Sequence, residues 1–372
     1  MAGIYIHIPF CRKRCSYCDF FFIINTKLKR EFLSALKKEI SLHSDNYRGE
    51  IFDTVFFGGG TPSILTADEI SGILTSLKEN FRIERSSEIS VEANPEDFSR
   101  KKTEEYINAG VNRFSFGVQS FIDAELKFLT RQHTSDSAQE VIKFTSSLIK
   151  NVSADIIYSL PSQTSEDISY SIDRAVECGV SHISAYSLTY EKGTSLYKSF
   201  EKEPAMKNDP SLEAELYLSV SEKIISEGFD HYEVSNFAKK GFESRHNLKY
   251  WTYENYLGLG PSSHSFFHKK RWNNPLSFSS YVNSLVNNIL PAENIYEPDK
   301  NQSELEYIML GLRSIGIEFG KYEKLFGADF LKKYERSVND ITSKEFAVLT
   351  KDNLRLSESG YCLADEIIAR YF

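Results

Sequence analysis

From residue 4 to about residue 190, short apolar runs of strand length alternate with amphipathic stretches of helical length. That alternation confines the chain to an α/β fold with a parallel sheet. The predicted strands are Ile4 to Ile8, Thr54 to Phe57, Glu88 to Glu92, Arg113 to Gly117, Ser153 to Ile157 and His182 to Ser187. Helical periodicity fills the gaps, as in Leu28 to Leu42 and in Asp136 to Ile149, the latter with Ser135 as its N-cap. There is also an internal echo. Ala109-Gly-Val-Asn-Arg-Phe-Ser115 resembles Cys178-Gly-Val-Ser-His-Ile-Ser184, each with a glycine that ends a helix just before a strand. Gly228 to Glu233 is a looser third copy. A repeated helix-to-strand connection suits a barrel, but six units are two short of a closed one. The expected core is therefore an open, partial (β/α)6 barrel, with a doubly wound sheet as the competing arrangement.

The barrel is expected to occupy residues 1–210. A charged, proline-containing stretch at 198–212 (KSFEKEPAMKNDPSL) reads as a linker, and 211–300 as an aromatic-rich connecting region. Residues 301–372 turn helical from Ser303, pass through Phe346 to Thr350, a polar turn and Leu354 to Leu356, and end in a helix. That pattern predicts a C-terminal mixed α/β, winged-helix-like domain. Acidic residues outnumber basic ones between Lys344 and Phe372, so covering or docking is expected of it rather than nucleic-acid binding.

Composition narrows the classes further. Hydrophobic residues make up 41% of the 372 residues and aromatics 13%, which suits a globular protein rich in rings. The formal charge of −8 disfavours broad contact with nucleic acid. No apolar run approaches the roughly 20 residues that span a bilayer, and the first residues, MAGIYIHIPF, lack the features of a secretory signal. A cytoplasmic protein is expected. Peripheral membrane contact and oligomeric state stay open. Five cysteines, an odd number, argue against a disulfide framework in that compartment, and clustered thiols there more often hold metal.

Three of those cysteines, Cys11, Cys15 and Cys18, have the spacing C-x3-C-x2-C directly after the first strand. They should lie at the strand's C-terminal end, where parallel α/β folds place their sites. Three thiolates can hold three irons of a cubane cluster and leave the fourth iron for a small ligand. The competing reading is structural zinc with His7 as fourth ligand, although zinc usually takes two separated Cys/His pairs and no second pair is present. After the second strand comes Phe57-Gly-Gly-Gly-Thr-Pro-Ser63, whose glycines let backbone N–H groups approach a ligand closely. Glu92 and Asp155 each lie in an otherwise apolar strand, where an unpaired carboxylate is costly, so a ligand or a cationic partner is expected beside each.

With these motifs joined, the sequence resembles the radical S-adenosylmethionine superfamily. More narrowly, it is similar to the group that contains oxygen-independent coproporphyrinogen dehydrogenases and heme chaperones, over almost its whole length. The resemblance implies a 4Fe-4S cluster on Cys11, Cys15 and Cys18 and S-adenosylmethionine beside it. It assigns cofactor contacts to Tyr5, to Gly59, Gly60 and Thr61, to Glu92, to Gln119, to Arg131 and to Asp155. Dehydrogenases of the group extend the cysteine motif by one further cysteine, and here that position is Phe20. Arg245-His-Asn-Leu-Lys-Tyr-Trp251 contains H-N-x-x-Y-W, which looks like the motif of the heme-chaperone branch. On that resemblance His246 is expected as a heme ligand, with Arg245 or Lys249 meeting the propionates and Tyr253 and Tyr256 extending the aromatic cover. The bland alternative is that these rings glue the barrel to the C-terminal unit, with His246 a satisfied core residue. The favoured expectation is a heme chaperone that hands heme to acceptor proteins; oxidative decarboxylation of coproporphyrinogen III is the alternative.

Overall fold

The computed structural model describes residues 1–204 and 209–372. Strands β1 (Ala2–Ile8), β2 (Ile51–Gly59), β3 (Arg82–Ala93), β4 (Arg113–Gln119), β5 (Val152–Tyr158) and β6 (His182–Ser187) lie side by side in chain order, all parallel. On one face, Ile4, Ile6, Ile8, Val55, Phe57, Val91, Phe114, Phe116, Ala154 and Ile156 share one core with Leu36, Ile40, Ile73, Leu77, Tyr106, Ile142 and Ile172 of the crossover helices. Each Val, Leu, Ile or Phe among them contributes roughly 1.5–3 kcal/mol by leaving water. The alternate positions have another chemistry: Tyr5 and His7, Thr54 and Phe56, Glu88, Ser90 and Glu92, Ser115, Ser153 and Asp155, His182 and Ser184. The strands therefore turn an apolar face to the helices and a polar one to the concave interior, since successive residues point to opposite sides.

Residues 211–300 are more than a connection. They supply six further strands to the same sheet: β7 (Asp230–Glu233), β8 (Asn236–Ala238), β9 (Tyr256–Leu259), β10 (His264–Phe267), β11 (Lys270–Asn273) and β12 (Glu293–Tyr296). The order is β12-β11-β10-β9-β1-β2-β3-β4-β5-β6-β8-β7, so the sheet ends at β12 and β7 and stays open. β9 runs parallel to β1, whereas β10, β11 and β12 follow as antiparallel hairpins.

Two local expectations are corrected. Much of 198–212 is helical: Ser195–Lys202 forms one helix and Pro210–Ser226 the next, with Asp209 accepting from the Ser211 and Leu212 N–H groups. Asp-Pro here is a helix start, with proline at a position that needs no N–H. Residues 205–208 of that stretch lie outside the described residues. The helix Ser135–Leu148 is capped by Thr134, one residue before the expected Ser135, in a reciprocal capping box with Ser137. Thr66 and Thr164 open their helices with capping boxes too.

The C-terminal unit has its own core, with Tyr307, Ile308, Leu312, Tyr322, Phe326, Ile341, Leu354 and Ile367 at its centre. Its small sheet, β13 (Ile317–Glu318), β14 (Ala347–Leu349) and β15 (Asn353–Leu356), is antiparallel in the order β13-β15-β14. The unit docks on the large sheet through Arg313 O, which accepts from Val234 N at 3.0 Å, and through an ion pair between Arg271 and Glu306 at 2.8 Å. Among the described residues, no helix is long and apolar enough to cross a membrane.

Candidate functional site

A crater of about 450 Å³ opens at the C-terminal ends of β1 to β6. Its lining includes Cys11, Cys15 and Cys18, Gly59, Gly60 and Thr61, Glu92, Gln119, Arg131 and Asp155. Far apart in the chain, these residues meet because every parallel strand delivers its following loop to the same rim. Tyr5 and His246 are absent from that lining.

The cysteine loop is clamped at both ends. Cys11 N donates to Ile23 O at 3.1 Å and Ile23 N to Pro9 O at 2.5 Å, which closes residues 11–22 into a loop with a single neck. Along its length, Arg12 pairs with buried Asp97 at 2.7 Å, Ser16 N donates to Thr130 Oγ1 at 3.0 Å, and Ser16 O accepts from Leu196 N at 2.9 Å. The sulfurs have protein donors already: Thr61 Oγ1 to Cys11 Sγ at 3.3 Å and Arg131 Nη1 to Cys15 Sγ at 3.5 Å. No disulfide joins them. Among the described residues no three His, Cys, Asp or Glu side chains converge on one ion-sized point. A cubane does not ask them to, because each thiolate takes its own iron. Three unoxidised thiols around one crater, two of them facing positive or hydroxyl donors, are a donor set that fits such a cluster.

The glycine run has a structural reason as well as a ligand-facing one. A Cβ on Gly60 would stand 2.8 Å from Phe10 O and 3.0 Å from Ile8 O, both backbone atoms of the segment that leads into the cysteine loop. One on Gly59, whose φ is +107°, would stand 2.7 Å from the His7 ring. Gly60 N donates to Ile8 O at 2.8 Å. The two loops thus touch backbone to backbone, which only glycine permits.

Two carboxyl groups face the crater's floor. Burial, then the neighbouring Asp155, pushes Glu92 up to about 8, and its only hydrogen-bond donor among the described residues is Gly59 N at 3.2 Å. Burial also raises Asp155, against the Ser115 hydroxyl, which donates to it at 3.0 Å. Arg131, itself buried, spends Nη2 on Asn94 Oδ1 at 2.6 Å and on Gly117 O at 2.8 Å, while its Nε has no hydrogen-bond partner among the described residues. Gln119 ends β4 at φ 72°, a left-handed conformation unusual outside glycine, and such strain gathers at binding sites. Two carboxyl groups that need a positive partner and an arginine with a spare N–H suit a ligand bearing both an ammonium and a carboxylate.

Comparison with known proteins agrees with this geometry. The Radical SAM superfamily model matches residues 5–175. The Bacillus subtilis heme chaperone HemW is 32% identical over 380 residues, covering 100% of this chain and 99% of the relative. The chain belongs to the HemW family. HemW of Lactococcus lactis is 30% identical across 99% of this chain and 96% of the relative, and HemW of Synechocystis is 36% identical across 84% and 78%. The solved coproporphyrinogen III oxidase HemN of Escherichia coli superposes with a TM-score of 0.83 over 99% of this chain and 89% of its own, at 19% identity, which establishes the shared fold. Membership of the HemW family within the superfamily brings with it a 4Fe-4S cluster and S-adenosylmethionine.

The motif that led the sequence toward this family sits elsewhere than expected. The helix Arg245–Trp251 lies below the crater, toward the N-terminal ends of the strands, where Glu88 accepts from the N–H groups of Arg245 and His246 at 3.2 and 3.1 Å. His246 is fully buried against β1 and β2, its Nδ1 bonded to Thr54 Oγ1 and its Nε2 to Tyr250 OH, both at 2.8 Å. Both ring nitrogens are engaged within the protein, the arrangement of the core-residue alternative. Arg245 and Lys249 pair with Asp53 at 3.3 and 2.7 Å and are not free for propionates. Tyr5 packs in a triangle of rings with Phe56 and His246 beneath the glycine run, where a Cβ on Gly58 would stand 2.8 Å from its ring. It supports the crater from below. His246→Ala is expected to lower stability by about 1–3 kcal/mol, because two buried hydroxyls lose their partner. Urea denaturation of the cofactor-free protein measures this; an unchanged midpoint would contradict the structural role.

Sequence reasoning did not single out the polar inner face as a unit. Its signal was present in the alternation Ser153-Ala-Asp155 and His182-Ile-Ser184, where small polar residues recur at every second position. Ser153 Oγ and His182 Nδ1 meet at 2.7 Å, and His182 Nε2 meets Tyr232 OH at 2.7 Å, so a continuous hydrogen-bonded chain leads from Asp155 to the β7 edge.

Proposed function

We propose that this chain is a heme chaperone that binds heme and passes it to acceptor proteins, and that its crater holds a 4Fe-4S cluster on Cys11, Cys15 and Cys18 with S-adenosylmethionine beside it. The end-to-end similarity to relatives named heme chaperone HemW carries the reading. When bound, the cluster and S-adenosylmethionine supply one-electron chemistry at the sulfonium. The chain's own residues bind and orient. Gly59, Gly60 and Thr61 offer backbone and hydroxyl groups at one side of the crater, Glu92 and Asp155 face the ammonium and the ribose, and Arg131 and Gln119 meet the remaining polar atoms. Arg131 also holds the Cys15 sulfur, so it links thiol loop and cofactor bed.

Phe20 supports the chaperone reading over porphyrinogen oxidation. It stands 66% exposed at the crater's rim, at the position where dehydrogenases of the group carry their additional cysteine. The reconstituted protein, incubated anaerobically with reductant, S-adenosylmethionine and coproporphyrinogen III, is expected to form no protoporphyrinogen with turnover, while heme-loaded protein transfers heme to an apo-acceptor. Catalytic protoporphyrinogen formation would reverse the assignment.

A further inference from the structure

A second cavity, of about 500 Å³, lies on the concave face of β9, β10 and β11, under the C-terminal helix Lys300–Leu312, and shares no lining residue with the crater. Aromatic rings wall it: Tyr250, Tyr256, Phe266 and Trp272 among them, with Met309 reaching in from the helix above. A cavity of this size and apolar lining takes a flat hydrophobic molecule of cofactor size. Into it projects one imidazole, that of His264.

His264 differs from the histidines of β1, β6 and the motif helix. His7, His182 and His246 each have both ring nitrogens hydrogen-bonded, whereas the His264 ring has no hydrogen-bond partner among the described residues. Its backbone, by contrast, is tightly held. A Cβ on Gly258 would stand 2.2 Å from His264 O, so glycine there lets β9 and the turn before β10 pack closely. Ser262 N donates to Pro275 O at 3.0 Å and Asn274 N to Ser263 O at 2.9 Å. Below the turn, buried Glu39 accepts from Gly260 N at 2.8 Å and from Tyr281 OH at 2.7 Å, fixing it to the first crossover helix and to the helix Phe278–Val286. A rigid backbone that presents a bare imidazole to an aromatic cavity is built for a ligand.

We propose that this second cavity is the heme-binding site and that His264 is the axial ligand to its iron; the inference rests on the heme-chaperone reading above. Imidazole is an ordinary axial ligand for heme iron, and the Arg271 guanidinium lines the same wall. Arg271 is itself committed to Glu306 and lies 4.3 Å from the Phe266 ring centre, which keeps the wall in place. The assignment also gives the H-N-x-x-Y-W helix a part in heme binding: Tyr250 lines the cavity and packs on Tyr256 at 4.5 Å, and buried His246 holds the Tyr250 hydroxyl. The histidine of the motif is a positioning residue, and its tyrosine touches the ligand.

The test titrates hemin into the reconstituted full chain and into His264→Ala, a substitution at an exposed side chain. The parent is expected to bind with a Soret band typical of histidine ligation. The variant should show a shifted band and about tenfold weaker binding, or about 1.4 kcal/mol, with an unchanged iron–sulfur spectrum. Added imidazole should restore the parent band. Equal affinity and an identical band in both proteins overturn the site while leaving the chaperone function standing. A loss that imidazole does not restore overturns ligation by His264. Failure of the parent itself to bind hemin overturns the chaperone reading, and this inference with it.

Discussion

Cys15→Ser is expected to abolish the iron–sulfur absorption after anaerobic reconstitution, while Cys178→Ser leaves it at the parent level. The argument is one of donor chemistry and place. Cys15, Cys11 and Cys18 all line the crater, and Cys15 Sγ lies 3.5 Å from Arg131 Nη1. A serine hydroxyl is a harder and far weaker ligand for iron, and a three-cysteine site has no spare donor to replace it. Cys178 is buried in the barrel core behind the helix Ser165–Glu177, away from the crater. Because the loop's neck and its anchors at Asp97 and Thr130 do not use the Cys15 side chain, the variant should fold with an unaltered far-ultraviolet circular dichroism spectrum. Retention of a full complement of iron and sulfide in Cys15→Ser would rule out this ligand set.

Glu92→Gln is expected to stabilise the cofactor-free protein at pH 8.5 by several kcal/mol and to leave it nearly unchanged at pH 5. The sign follows from proton uptake. Glu92 ionises near 4.5 when unfolded and near 8 when folded, so between those values the folded state binds a proton that the unfolded chain has released. Its contribution is therefore favourable below about pH 4.5 and is lost as pH rises toward 8, at about 1.4 kcal/mol per pH unit. Glutamine retains an acceptor for the Gly59 N–H and never ionises. A bound ammonium would remove the same penalty, so S-adenosylmethionine should bind more tightly as pH rises through neutrality, releasing a proton. Denaturation midpoints at the two pH values decide the matter: a difference between parent and variant that does not change with pH would sink it.

What could be read from the residues divides along a physical line. The six parallel strands announce themselves because each puts buried apolar residues against the flanking helices, and each predicted strand overlaps an observed one. The six additional strands of residues 211–300 are three or four residues long, and their aromatic residues serve both the sheet and the second cavity. Too few periods exist in such segments to separate strand from loop. The crater-lining residues were legible because a cysteine triad, a glycine run and carboxylates in apolar strands each have few cheap explanations. For His246 the residues allowed two readings, heme ligand or core residue, since a residue type says what a side chain can bind but not which face of a seven-residue helix will carry it. His264 has the opposite history: a histidine in the sequence Ser-Ser-His-Ser offers no motif, and only the folded sheet reveals that its ring is left bare.

The neck of the cysteine loop, Cys11 to Ile23 and Ile23 to Pro9, also bears on how the loop keeps its outline. Bonds to Asp97, Thr130, Gly193 and Leu196 hold residues 11–22 to four separate parts of the barrel. None of them uses a cysteine side chain, so the thiols are carried on a frame whose shape does not depend on them.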